Sequence, residues 1–261
     1  MFRSYIAAAV LVVGSVSAQA ALVMPNFADL PTGWTTDRYE PEAFANVGAY
    51  QGRGDVLGIS ISSEQGAANR GGQSAMFYNT QGRQHAISGG AGATLGAALF
   101  IETSWADSAN GWVRSDMWGV MSDNSGVTDY PIIGFTNQGG TARYRVYDGD
   151  VTANGGWIDL TTTVNYGSWA SFQMVYNGGY DLDYFIDGTL VYTDTTIGYG
   201  EASEGFSAVI MQAYNYADPT NFPTAVVADY TAHWSNVPEP TSLALVGLAI
   251  AGLTATRRRK V

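Results

Sequence analysis

The chain of 261 residues contains no cysteine. Disulfides, thiolate metal sites and cysteine nucleophiles are therefore excluded. Between its two ends the sequence also lacks any sustained i, i+3, i+4, i+7 apolar stripe, the pattern that predicts an amphipathic helix. Helices should be nearly absent, and the fold must rest on strands and on a core without covalent cross-links.

Basic residues are scarce in the central part of the chain. The whole sequence has 12 Lys+Arg and 23 Asp+Glu. Segment 21–236 holds seven of the basic residues, all arginine, and 22 of the acids, so its net charge is −15. Nucleic-acid binding needs a basic stripe, so no nucleic-acid partner is expected. The same charge disfavours anionic membranes and acidic polymers as partners. Neutral glycans and divalent cations remain as partners, or the acidity only keeps the protein in solution.

The first 20 residues have the parts of a secretory signal peptide. Arg3 provides a positive start, Ile6 to Val13 an apolar run, and Ala18 and Ala20 the small residues of a cleavage site. We therefore place residues 1–20 outside the folded body and expect the protein to be exported.

The last 25 residues have three parts of their own. Pro238, Glu239 and Pro240 break regular structure and leave an extended, protease-accessible segment. An uncharged run then predicts a short apolar helix at about 242–256, about 21 Å long, against a hydrocarbon core of about 30 Å. Four cations close the chain and indicate a cytoplasmic stop for a short membrane anchor: Arg257, Arg258, Arg259 and Lys260.

This tail resembles the PEP-CTERM sorting signal, since all three parts occur in order over residues 237–261. The resemblance implies a transient inner-membrane tether, cleavage near Pro238-Glu239-Pro240 by an exosortase-type enzyme, and release to the cell surface or extracellular matrix. It also implies a bacterium that exports polysaccharide.

Segment 21–236 alternates short strand patterns with turns rich in Gly, Asn and Asp. Residues 23–49 show no regular pattern, although Trp34 and Tyr39 are expected to pack, and the glycine-rich stretch 88–96 is interpreted as a flexible loop. The predicted strands are 56–62, 74–79, 95–104, 112–121, 130–136, 141–147, 157–160, 169–176, 180–187, 189–193, 206–214 and 225–234.

About a dozen strands without crossover helices predict one all-β domain over 21–236, an antiparallel jelly-roll β-sandwich. In the hairpin 180–187, alternation places Leu182, Tyr184 and Ile186 on one face and Asp181 and Asp183 on the other. Residues 169–193 resemble the hairpin of laminin-G-like and concanavalin-A-like sandwiches.

No catalytic residue is predicted. A glycosidase needs two carboxylates about 5–9.5 Å apart, and the glutamates form no such array. Asp181 and Asp183 have suitable spacing, but a solvated hairpin face explains them more simply. His85 and His233, the two histidines, lie in no recognised nucleophile setting.

Calcium is the one cofactor that the sequence leaves open. Laminin-G-like relatives often hold one ion with Asp side chains and loop carbonyls, and such oxygens suit Ca²⁺. The weak candidates are Asp123, Asp129, Asp181 and Asp183, none of which fits a calcium-loop consensus.

The sequence thus favours a non-enzymatic surface or matrix protein that binds glycan or occupies exported polysaccharide. Two alternatives stay open: a glycan hydrolase or lyase on the same fold, and a structural adhesin domain that acts through protein contacts.

Overall fold

The chain is divided into strands, some of which alternate apolar and polar residues and bury one face, whereas others are buried on both faces. The computed structural model describes residues 21–62, 80–179, 181–196 and 204–237. Within these ranges the strands are β1 (Ala21–Leu22), β2 (Trp34–Arg38), β3 (Ala43–Asn46), β4 (Leu57–Ile61), β5 (Gln81–Gly89), β6 (Ala93–Ile101), β7 (Arg114–Ser122), β8 (Val127–Asp129), β9 (Ile132–Thr136), β10 (Arg143–Tyr147), β11 (Trp157–Asp159), β12 (Ser168–Gly178), β13 (Asp181–Ile186), β14 (Thr189–Asp194), β15 (Gly205–Tyr214) and β16 (Tyr230–Asn236).

Two sheets stack face to face. The first has the order β14-β13-β12-β6-β16-β4-β3, with β1 pairing to β6, and the second has the order β11-β10-β9-β7-β15-β5-β2, with β8 pairing to β7. The strand pairs are antiparallel except β1 with β6. Helical structure in the described ranges is limited to short 3-10 turns. The predicted all-β, antiparallel jelly-roll sandwich is therefore confirmed.

The hairpin β12–β13 shows how the sequence fills the space between the sheets. Leu182, Tyr184 and Ile186 are buried, whereas Asp181 and Asp183 face the opposite side, as the alternation predicted. Across the pair, Met174 lies opposite Tyr184, so both strands send apolar side chains into the same core.

Hydrogen bonds also join the two sheets through β16. The indole Nε1 of buried Trp234 donates to Ser115 Oγ at 2.9 Å. The hydroxyl of Tyr230 donates to the carbonyl of Arg114 at 2.6 Å and accepts from the backbone N–H of Tyr214 at 3.0 Å. The first sheet is thereby held to β7 and β15 of the second at one end of the sandwich.

Three sequence expectations were wrong in detail. Segment 23–49 is not irregular, because it contains β2 and β3. Of the two residues expected to pack there, Trp34 is buried and Tyr39 is half-buried. The stretch 88–96 is not a flexible loop, because β5 ends and β6 begins within it. A Cβ at Gly96 would lie 3.1–3.2 Å from neighbouring β12, so close strand packing explains this glycine. The last strand begins at Tyr230 rather than at 225.

Several expectations concern residues outside the described ranges: strand 74–79, the signal residues Ala18 and Ala20, the motif Pro238-Glu239-Pro240, the apolar helix at 242–256, and the closing cations 257–260. In the part of the chain that is described, no helix has the length and apolar character needed to cross a membrane.

Candidate functional site: an arginine–aromatic cleft

Alternation in β7 sends its side chains to opposite faces of the second sheet. Met117 joins the core between the sheets. Trp118 and Val120 belong to a second, smaller apolar cluster. Because side chains two residues apart share a face, Arg114 and Asp116 lie on the same outer face as Trp118.

A row of guanidinium groups and indole rings alternates across this outer face. The Cζ atom of Arg38 lies 4.4 Å from the ring centre of Trp118. The Cζ atoms of Arg114 and Arg145 lie 4.6 Å and 3.8 Å from the ring centre of Trp157. Such cation–π contacts hold charged groups flat against apolar rings and reduce their freedom. The arginines are therefore fixed in place before any ligand arrives.

Beside this row the surface opens into a cleft of about 600 Å³. Arg114, Arg143 and Arg145 line it together with aromatic side chains. Among the described residues, no Asp or Glu belongs to this lining. The aromatic members are Trp112, Trp157, Tyr214, Tyr216 and Phe222.

The three arginines differ in how their charge is balanced. Arg114 forms an ion pair with buried Asp116, and Nε of Arg143 lies 2.7 Å from a carboxylate oxygen of Asp159. Arg145 is only 4% exposed and forms no ion pair within the described ranges. Its Nε and the Nη2 of Arg114 are buried and have no hydrogen-bond acceptor among the described residues. Burial, with the nearby positive charges adding to it, lowers the pKa of Arg145 from its usual value.

The segment after β15 forms one wall of the cleft. Tyr216 adopts a left-handed backbone conformation with φ 59°, which is uncommon for a residue with a Cβ. Its hydroxyl lies 2.8 Å from Thr136 Oγ1, and its ring meets the ring of Phe222 edge-on at 4.8 Å. Asp218 accepts a hydrogen bond from the side-chain amide of Asn221 at 2.7 Å. These contacts hold the aromatic wall in one position.

The calcium candidates of the sequence lie elsewhere. Asp123 caps a turn, where it accepts hydrogen bonds from the backbone N–H groups of Ser125 at 2.7 Å and Gly126 at 2.9 Å. Asp183 accepts from Asn177 Nδ2 at 2.8 Å and Thr193 Oγ1 at 2.6 Å. Asp181 is exposed at the start of β13, and Asp129 is buried at the end of β8. Among the described residues, no group of three or more His, Asp or Glu side chains could hold a metal ion.

Asp194, at the end of β14, is buried near other buried carboxylates. Asp194, Asp148 and Asp129 are each 4% exposed or less. Burial raises the pKa of Asp194 to about 7, and the charges of the other two carboxylates add to the shift. The backbone N–H of Thr196 donates to Asp194 at 2.8 Å, and the hydroxyl of Tyr192 donates to Asp148 at 2.6 Å.

Glutamate and histidine side chains outside the cleft are held in local contacts. Arg83 donates to Glu40 at 2.8 Å. The hydroxyl of Tyr50 donates to Glu102 at 2.6 Å, and its ring stacks on His233 with centres 3.7 Å apart. The cleft, whose described lining has no carboxylate, does not present the pair of acids that a glycosidase uses.

The sequence reasoning missed the residues of this cleft. A usable signal was present in Arg143-Tyr144-Arg145 and in Arg114-Ser115-Asp116, where period two places charged side chains on one face of a strand. The net charge of segment 21–236 disfavoured acidic polymers as partners, but this reasoning does not apply to the outer face of the second sheet. Four of the seven arginines of segment 21–236 lie on this outer face: Arg38, Arg114, Arg143 and Arg145.

Residues 236–260 match the family described as the PEP-CTERM protein-sorting motif. This match confirms the resemblance of the tail and marks the chain as one that carries the sorting signal of exported proteins processed by an exosortase. No curated protein matches the chain.

Solved structures similar to this one include a β-glucanase from Bacillus licheniformis, with 15% identity and a TM-score of 0.45 over 80% of this chain and 93% of that one. A carbohydrate-binding module, CBM66 from Bacillus subtilis, has 13% identity and a TM-score of 0.37 over 83% and 97%. The alginate lyase AlgAT5, of polysaccharide lyase family 7, has 12% identity and a TM-score of 0.41 over 78% and 92%. At such identities these similarities concern the sandwich architecture and assign no activity to this chain.

Proposed function

We propose that this chain is an exported, non-enzymatic surface or matrix protein that binds glycan through its arginine–aromatic cleft. Its tail tethers it briefly in the inner membrane, and an exosortase-type enzyme cleaves near Pro238-Glu239-Pro240 before release. The sorting half of the proposal rests on the motif at 236–260. The glycan half rests on the cleft.

The position of the last strand supports cleavage in the tail. β16 ends at Asn236, two residues before Pro238. The side chain of Asn236 accepts from the backbone N–H of Phe27 at 2.9 Å and donates to the carbonyl of Pro25 at 2.8 Å. Cleavage after this anchored residue therefore removes no strand from the sandwich.

The rings at the cleft are the single observation that carries glycan binding. Trp112, Trp157 and Phe222 are half-buried, so each combines a fixed position with an accessible part. Aromatic faces pack against the C–H faces of sugar rings, and Arg side chains supply hydrogen-bond donors for sugar oxygens. A volume of about 600 Å³ lies in the range of small-molecule sites.

The sorting step is tested in the producing cell. The mass of the exported protein should fall by the mass of the tail, and replacing Pro238, Glu239 and Pro240 with alanine should leave the precursor in the membrane fraction. An exported protein with an intact C-terminus, or normal release of the alanine variant, contradicts this step.

Glycan binding is tested by retention of the full chain in gels that contain one polysaccharide each. Trp112→Ala and Phe222→Ala should each weaken retention at least about fivefold, because a ring–sugar contact contributes about 1 kcal/mol or more. Trp169→Ala is the matched control, since this half-buried indole lies on the first sheet under Arg53. Absence of retention by every polysaccharide, or equal losses in the control, would overturn glycan binding at the cleft.

A further inference from the structure

The few cations of this protein are concentrated on one face. Segment 21–236 has a net charge of −15, yet four of its seven arginines lie on the outer face of the second sheet. Anionic polymers are repelled by the rest of such a surface, so attraction of an anion must be local. Field lines from charges in a cleft with low-dielectric walls are focused there and raise the local concentration of counter-charge.

Three of these four arginines form an ion pair with a carboxylate, and the fourth forms none among the described residues. Arg38 pairs with Asp37, Arg114 pairs with Asp116, and Arg143 pairs with Asp159. Arg145 has no carboxylate within ion-pair distance among the described residues. The cleft lining that surrounds it contributes no acid from those residues either.

Burial makes this imbalance costly. Arg145 is 4% exposed, and within the described ranges its Nε has no hydrogen-bond acceptor. Buried charges in proteins are normally paired, because transfer of an isolated ion from water to the interior is strongly unfavourable. The indole of Trp157 at 3.8 Å offsets part of this cost but offers no acceptor to the N–H groups.

A second unsatisfied donor lies in the same cleft. Nη2 of Arg114 is buried and has no acceptor in the described part of the chain, and the guanidinium of Arg114 lies against the same indole as that of Arg145. Two guanidinium groups fixed against Trp157 thus present N–H donors without a partner among the residues that the structure describes. Planar guanidinium donors match the two oxygens of a carboxylate or the oxygens of a sulfate.

We infer that the cleft selects an anionic saccharide, whose carboxylate or sulfate group pairs with Arg145 and with the free donor of Arg114. The inference rests on the proposed glycan binding and names its substrate class. The half-buried rings of Trp112 and Phe222 then pack against the sugar ring while the arginines hold the acidic substituent. An acidic exported polysaccharide would be bound by an acidic protein at this one place.

The test measures binding of the full chain to three kinds of oligosaccharide: neutral, carboxylated (an oligouronate) and sulfated. Wild-type protein should bind one of the two anionic kinds at least about tenfold more tightly than the neutral one, and the preferred kind identifies the acidic group. Arg145→Gln should abolish this preference. Arg145→Lys, which keeps a positive charge, should recover part of it.

Arg53→Gln is the control, because Arg53 lies 4.5 Å over Trp169 on the other sheet, in the same type of cation–π contact. It should leave every affinity unchanged. Should Arg145→Gln fail to fold, wild-type binding at rising salt decides, since only pairing with an anion weakens as salt increases. Two results would overturn the anionic preference and leave glycan binding standing. One is equal affinity for neutral and anionic oligosaccharides, and the other is anionic binding that Arg145→Gln does not change. Absence of binding to all three kinds would instead overturn the proposed function and this inference with it.

Discussion

Replacing Asp194 with asparagine should stabilise the protein at neutral pH. The pKa of Asp194 rises from 3.8 to about 7 on folding, chiefly through burial. The unfolded chain therefore loses this proton near pH 4 and the folded protein near pH 7, so wild-type stability falls as the pH rises through that interval. Each pKa unit corresponds to about 1.4 kcal/mol, which makes the full cost about 4 kcal/mol at pH 8.

Asparagine has nearly the same shape and keeps an oxygen to accept the N–H of Thr196, but it carries no charge. We expect Asp194→Asn to gain about 2–4 kcal/mol at pH 8, since solvent and neighbouring side chains relax around the charge in the wild type, and less than about 1 kcal/mol at pH 4. At about 2–4 °C per kcal/mol, the midpoint of thermal unfolding should rise by roughly 4–16 °C at pH 8.

Urea unfolding followed by tryptophan fluorescence at pH 4, 6 and 8 provides the measurement. Titration of groups that do not interact with Asp194 cancels in the difference between variant and wild type. Asp181→Asn is the control, because Asp181 is exposed, and it should change stability by less than about 0.5 kcal/mol at each pH. An equal gain at pH 4 and pH 8, or no gain at pH 8, would refute the reasoning.

Three further substitutions test the contacts that position the cleft, each by urea unfolding. Tyr230→Phe removes the hydroxyl that joins β16 to β7 and β15 and should cost about 1–3 kcal/mol; a loss below about 0.5 would contradict its role. Asn137→Ala should cost about 2–4 kcal/mol, because its side chain makes three buried hydrogen bonds of 2.7–3.1 Å to loop backbone. Gly134→Ala places a Cβ against Asp116 and should lower both stability and glycan retention, whereas Gly54→Ala, whose Cβ meets no atom within 4 Å, should change neither.

The sequence predicted those parts of the fold whose strands have one wet and one buried face. In β13, acids alternate with Leu182, Tyr184 and Ile186, so both the strand and its orientation could be inferred. In β6 every residue is buried, so alternation is lost; the predicted strand 95–104 covered most of β6, but glycine suggested a loop at its start. In β2 only Trp34 is buried, so too little apolar pattern remained to indicate a strand.

The cleft escaped prediction for a different reason. Its arginines come from strands far apart in sequence, and only the pairing of β7, β9 and β10 brings Arg114 and Arg145 to the same ring. Composition averages charge over the whole segment and therefore concealed a local cluster. The candidates chosen from the sequence were acids in a turn and on a hairpin, and Asp123 proved to stabilise its own turn. The sorting motif was identified because its residues are contiguous.

The place of β16 in the first sheet has a consequence for the timing of folding. Among the described residues β16 is the last strand along the chain, but it lies between β6 and β4 rather than at an edge. Its partners Leu57 and Leu99 precede Trp234 by more than a hundred residues. Contacts between residues so far apart in sequence form late in folding, because the long loop between them must be closed first. If the chain crosses the membrane N-terminus first, the sandwich cannot be completed until residue 236 has crossed. Pro238-Glu239-Pro240 then reaches the membrane at the same moment as the last strand leaves it.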